Sequence, residues 1–112
     1  MADVPISEEL WQEFHGLVNM TPQQLEEWMR VQASHDGRDE AEVRAGLEVG
    51  RRVVGILGKG RDELDEEDVT VMESIVGRIR LERRENRHPA AGEEAWRRRL
   101  MWMGHDPGDA RP

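Results

Sequence analysis

Residues 39–58 read DEAEVRAGLEVGRRVVGILG, and the fold is decided by how this stretch is interpreted. At about 100° per residue, Val43, Leu47, Gly50, Val54 and Leu57 fall on one narrow stripe, flanked by Gly46 and Val53. Asp39 suits the N-cap position, Glu42 follows three residues on, and Gly58-Lys59-Gly60 stops the run. The segment is an amphipathic helix. A glycine inside a helix costs roughly 1 kcal/mol relative to alanine, so Gly46 and Gly50 on the packing side point to a close crossing with another helix. Glu48, Arg51 and Arg52 interrupt the apolar character and argue against a membrane span.

Outward from this helix the chain keeps the same period. Upstream, Thr21 caps, Pro22 suits the first helical position and Gln24 completes a capping-box pattern, which predicts a helix over 22–33 burying Leu25, Trp28 and Met29. Ser34 to Gly37 form its exit loop. Ser7 with Glu8 and Glu9 opens a helix over 8–19 that carries Leu10, Trp11, Phe14, Leu17 and Val18. Downstream, Asp65 to Asp68 begin a fourth helix with the stripe Val69, Met72, Ile75, Val76 and Ile79. The chain breaks at His88-Pro89 and Gly92. A short last helix carries Trp96, Leu100 and Met103 on one side, and Gly104 followed by Pro107 ends it. No window alternates with a period of two, and no internal repeat is present. The expected fold is all-α, a compact bundle of four to five helices in a single domain over 7–104, with a flexible N-terminus (1–6) and a C-terminal tail (105–112).

Composition narrows the function classes. The 112 residues hold 24 acidic and 16 basic side chains, for a net charge of −8, and contain neither cysteine nor tyrosine. Ile, Val, Leu and Phe total 23 residues, barely above the roughly 20% that separates folded from disordered chains of high charge, so six methionines and four tryptophans must supply the rest of the core. Without cysteine there is no disulfide, thiol chemistry or Cys-type metal site, which suits a reducing compartment. No apolar run approaches a span of ~18 residues and the first twenty residues lack a signal-peptide pattern, so a soluble, cytoplasmic protein with no membrane contact is expected.

Motifs for chemistry fail on spacing. Gly58-Lys59-Gly60 resembles a piece of a phosphate loop, but Val53 and Gly60 stand where glycine and Ser or Thr are required, and a helix rather than a strand precedes it. The acidic run from Asp62 to Asp68 lacks the central glycine and distal glutamate of a calcium loop, and Leu64 and Val69 break its alternation. None of His15, His35, His88 and His105 has a metal partner at helical spacing, and the hydroxyls of Ser7, Thr21, Ser34, Thr70 and Ser74 lack a base at useful spacing. His105-Asp106-Pro107 reads as the closure of the last helix in preference to an oriented imidazole. A non-catalytic protein with no cofactor, metal or small-molecule substrate is expected.

Charge segregation carries the functional expectation. Residues 78–99 hold eight arginines and four glutamates, net +4, which leaves −12 on the remainder. If the fourth helix continues to Arg87, then Arg80, Arg83, Arg84 and Arg87 project to one side with Glu82 and Glu85 opposite. With Arg97, Arg98 and Arg99 they form a candidate contact surface for a protein partner, for a second copy of the chain, or for DNA phosphates. The same arginines can instead pair with the chain's own acidic helices or face solvent. Trp102 lies off the stripe of the last helix and joins the arginines as a candidate interface anchor, with packing under the tail as the structural alternative. The first two helices do not suit a helix-turn-helix reader, because Gln23, Gln24, Glu26 and Glu27 would face phosphates with only Arg30 in compensation. Two readings follow: an interaction module binding a protein or itself through charged helix faces, or a DNA-associated protein acting through Arg78 to Arg99.

Four segments carry a resemblance: Glu13-Phe14-His15-Gly16-Leu17-Val18-Asn19-Met20-Thr21, Leu25-Glu26-Glu27-Trp28, Gly50 to Lys59, and Trp96 to Pro107 with its Leu-Met-x-x-Gly-His-Asp-Pro ending. Together they resemble the family called domain of unknown function 3140, over almost the whole chain. Trp102-Met103 stands where that resemblance leads one to expect an asparagine-tryptophan pair. It implies a small single-domain protein of bacteria and some fungi, some of whose relatives are labelled DNA-binding, with no catalytic or cofactor residues to carry over.

Overall fold

The computed structural model describes residues 6–35, 37, 39–85 and 93–107. The element order is α1 (Glu8–Leu17), α2 (Pro22–Ala33), α3 (Glu40–Leu57), a 3-10 turn (Arg61–Glu63), α4 (Glu66–Glu85) and α5 (Glu93–Trp102). No strand occurs among the described residues, and the fold is the expected all-α bundle. Arg87, the break at His88-Pro89 and Gly92, residues 1–5 and residues 108–112 lie outside the described residues, as does the side chain of Arg84.

Helix boundaries follow local capping chemistry. The Ser7 hydroxyl accepts from the Leu10 N–H at 3.0 Å. Thr21 and Gln24 exchange reciprocal bonds at α2, and Asp39 accepts from the Ala41 and Glu42 N–H groups at α3. Asp65 and Asp68 cap α4 by the same reciprocal device, each carboxylate accepting from the other's backbone N–H. Lys59 Nζ reaches Asp68 at 2.6 Å and thereby ties the end of α3 to the start of α4. Burial pushes the Asp68 carboxyl upward, but the Lys59 ammonium and the Asp65 N–H outweigh it and hold the group below its usual range.

α3 is the centre of the bundle, packing on α2, α4 and α5, while α1 lies along α4. Its buried face consists of Gly46, Gly50, Val53 and Ile56, one row away from the expected stripe. Val43, Leu47, Val54 and Leu57 are only partly buried. The reason is that neighbours cover α3 on three sides, so its apolar arc is wider than a single stripe. The other core residues include Phe14, Leu25, Met72, Ile79 and Leu100, each fully enclosed and each contributing roughly 1.5–3 kcal/mol of burial. α1 ends at Leu17 instead of 19, and Val18, extended and buried, serves as its C-cap.

The glycines of α3 admit side chains from across the bundle. A Cβ on Gly46 would lie 2.2 Å from the Trp102 ring, and one on Gly50 would lie 2.3 Å from the Met29 sulfur. Gly55 and Gly77 differ, since a Cβ at either meets nothing within 4 Å. Both lie inside exposed helix surface, so Gly55→Ala and Gly77→Ala are each expected to raise the unfolding free energy by about 0.5–1 kcal/mol, read as a higher urea midpoint at unchanged slope.

α5 closes with a Schellman motif. His105 N–H donates to the Leu100 carbonyl (3.0 Å), Gly104 N–H donates to that of Met101 (2.9 Å), and Gly104 takes φ +85. The reversal lays residues 104–106 on the corner between α1 and α2. Met20 N–H donates to the Gly104 carbonyl at 3.1 Å, and the Asn19 side chain exchanges two bonds with the Asp106 backbone at 3.1 and 2.8 Å. The His105 ring, 2% exposed, donates from Nδ1 to the Leu17 carbonyl at 2.6 Å. Residues 105 and 106 thus pack on the helical body, where the sequence suggests a tail from 105.

Candidate functional site

The arginines proposed from sequence do not form one free face. Arg80 of α4 is paired with Glu13 of α1. Arg98 Nε lies 2.9 Å from Glu42 of α3, and Arg99 forms a two-pronged contact with Glu82 of α4 at 3.0 and 3.1 Å. Arg97 reaches Asp106 at 3.5 Å. Arg78 and Arg83 make no ion pair among the described residues, and both are exposed. Four of the eight arginines of residues 78–99 are therefore matched by the chain's own carboxylates. Each exposed pair adds only about 0.2–1 kcal/mol to stability.

Trp102 is a correction to the sequence reading: it is a core residue. Only 5% of it is exposed, its ring fills the notch left by Gly46, and it meets the edge of Trp28 with centroids 4.7 Å apart and an interplanar angle of 78°. The off-stripe position at the end of α5 faces α3 and α2 because α5 crosses both. Its indole N–H is buried without a partner among the described residues.

Among the described residues, an open depression lies between α2 and α5. Met20, Trp28, Val31 and Met101 form the floor of a groove of about 630 Å³, rimmed by Gln23, Gln24, Glu27 and Asp106. Val31 is 48% exposed, one of two large apolar side chains so open among the described residues; the other is Leu81 on α4. Two carboxylates and two amides edge the groove, and no lysine or arginine lines it. The Glu27 carboxylate is held by Arg30 one turn along α2. Beyond Trp28 and Met101 a second depression continues toward Gln32, Glu94, Arg97 and Arg98. Gln32 is buried and its carbonyl oxygen has no partner among the described residues.

Sequence periodicity missed this groove, although a signal was present. Val31 falls off the stripe of Leu25, Trp28 and Met29, and Met101 falls off that of Trp96, Leu100 and Met103. Val31 stays open when α2 and α5 adjoin, whereas Met101 is covered.

Little in the described residues suggests chemistry. No group of three His, Asp or Glu side chains is placed to hold a metal among them. His15 stacks on Trp11 at the surface, with its Nδ1 bonded to the Trp11 carbonyl at 2.9 Å. No described helix is long and apolar enough to cross a membrane. The comparison with family models gives one match, to "Protein of unknown function (DUF3140)", over residues 13–101. No curated protein and no solved structure matches the chain.

Proposed function

The chain belongs to the DUF3140 family of proteins of unknown function, and on that premise we propose that it is a non-catalytic interaction module whose α2–α5 groove takes an apolar helical segment of a partner protein bearing cationic side chains. The observation that carries the reading is the groove itself: half-buried Trp28 and exposed Val31 above the buried Met20 and Met101, with a rim of carboxylates and amides lined by no lysine or arginine. Tryptophan anchors binding energy where it is partly covered before association, and methionine adapts its unbranched side chain to the shape of an incoming helix. Of the five glutamates of α1 and α2, Glu8, Glu13 and Glu27 are held by arginines, which leaves Glu9 and Glu26 without an ion pair among the described residues to favour a basic segment.

Contact through the arginine segment is the competing reading, with protein or with DNA. Four of its members are already engaged within the chain, so such contact trades existing pairs for new ones and gains less than free cations would. Among the described residues, Arg78 and Arg83 are the members without an ion pair.

A titration of the isotope-labelled protein with a Leu/Lys amphipathic helical peptide and with its Leu/Glu counterpart tests the proposal. The cationic peptide is expected to shift Met20, Gln23, Trp28, Val31 and Met101, and to bind about 30-fold more weakly to Trp28→Ala and to Val31→Glu. Val31→Glu alters an exposed position and leaves the core intact. Equal binding of the Leu/Glu peptide, or shifts that ignore Trp28 and Val31, would overturn the reading. So would a dimer in light scattering that buries the groove, or duplex binding at ~50 mM salt that disappears in Arg78→Glu/Arg83→Glu.

A further inference from the structure

We infer that His105 is an acid-released latch holding the Met20–Asp106 wall of the α2–α5 groove. A carbonyl oxygen can only accept, so the 2.6 Å contact to Leu17 fixes the proton of the neutral imidazole on Nδ1. Nε2 is then a bare lone pair, buried and without a partner among the described residues. Protonation would convert it into an N–H with nothing to receive it and place a positive charge on a ring that is 2% exposed. Leaving the pocket relieves both penalties.

The surrounding charges lean the same way. Burial is the main influence and holds the ring below the ordinary imidazole value of 6.5, while the bond to the Leu17 carbonyl works in the opposite direction. From α4, the Arg83 guanidinium opposes a second positive charge. Asp106 favours one, but its carboxylate is shared with Arg97 of α5. Among the described residues neither α2 nor α3 adds a charge to this balance.

The latch bears directly on the groove. Gly104 and Asp106, on either side of the ring, bond to Met20 and Asn19, and Met20 and Asp106 are themselves groove residues. Because the latched ring resists the proton that an unlatched one accepts, the latch is fully stable above pH 6.5 and loses stability as pH falls below that value toward the depressed one. Release of an occupant at acid pH follows from this; that last step rests on the groove reading proposed above, whereas the latch does not.

The test uses the full chain without any ligand. Proton resonances of the histidine rings and methyl resonances of Met20 and Met101 are followed as pH is lowered, and thermal unfolding is compared between wild type and His105→Gln. Glutamine retains a donor for the Leu17 carbonyl and cannot titrate. The His105 ring is expected to titrate below the ordinary imidazole value, with both methyls moving at its midpoint. Between about pH 7.5 and about pH 5.5, wild type is expected to lose about 5 °C more in Tm than His105→Gln. The inference is overturned if His105 titrates at or above the ordinary imidazole value, or if the methyls stay still when it titrates. Equal losses of Tm overturn it as well; should His105→Gln fail to fold, the wild-type titration decides alone. Addition of the Leu/Lys peptide separates the two readings: moving methyls with no peptide bound at either pH leave the latch standing and remove the groove.

Discussion

Gly46→Ala is expected to lower the unfolding free energy by about 3 kcal/mol, at the upper end of the cost of overpacking a core. Elsewhere inside a helix the same exchange gains roughly 1 kcal/mol. Here the new Cβ would lie 2.2 Å from Trp102 Cδ2, 2.3 Å from Cε2 and 2.7 Å from Cε3. These are atoms of one rigid fused ring, which cannot bend away as a chain end can. Trp28 stands edge-on against the ring, so a shift of Trp102 displaces a second tryptophan or forces α3 and α5 apart. Gly50→Ala provides the contrast. Its Cβ would meet the Met29 sulfur at 2.3 Å, but a thioether on three rotatable bonds can swing aside, and the expected cost is below about 1 kcal/mol. Urea unfolding of both variants checks the pair; equal midpoints would show that the ring does not occupy the notch. In a double-mutant cycle, Gly46→Ala and Trp102→Leu should together cost less than their sum.

Gly104→Ala should cost a comparable amount, about 3 kcal/mol, through two separable mechanisms. Its φ of +85 lies in the left-handed region, where a side chain costs roughly 1–2 kcal/mol. A Cβ there would also sit 2.8 Å from Val18 Cγ1 and 3.2 Å from Val53 Cγ1, both on β-branched residues with little rotamer freedom. Gly104→Asn separates the terms, because asparagine tolerates the backbone but meets the same valines. If packing dominates, Gly104→Asn falls close to Gly104→Ala; if it retains nearly wild-type stability in urea, strain alone is responsible. Either variant should also loosen residues 104–106 from the α1–α2 corner, visible as faster hydrogen exchange at the Met20 amide.

What the sequence revealed was mostly local. The span of α2 was legible because Thr21, Pro22 and Gln24 declare its start within four residues, and the Gly104 stop was legible because a Schellman turn needs an unhindered backbone there. The face of α3 was read one row away, since periodicity finds a single stripe and this helix is covered by three neighbours. The glycines announced a close crossing, but nothing local to Gly46 names Trp102 as the side chain that fills it. The arginines make the same point about charge. Composition displays eight of them in one segment, whereas the pairing of Arg80 with Glu13 and of Arg98 with Glu42 exists only once α4 and α5 are docked. The candidate groove was the least legible feature, because it is defined by what two helices leave uncovered.

The clasp of residues 104–106 on the α1–α2 corner also bears on the order in which the molecule can be built. The Asn19–Asp106 bonds join residues 87 apart and the His105–Leu17 bond joins residues 88 apart, so the corner closes a loop that encompasses most of the described helices. Loop-closure entropy makes such contacts late and slow compared with the local turns of a helical bundle. During synthesis, α1 emerges long before the residues that seat it, and its apolar side waits until α4 and then residues 104–106 have left the ribosome. α1, made before the other described helices, is therefore among the last of them secured, and a chain stopped short of Gly104 would leave the corner between α1 and α2 unfinished.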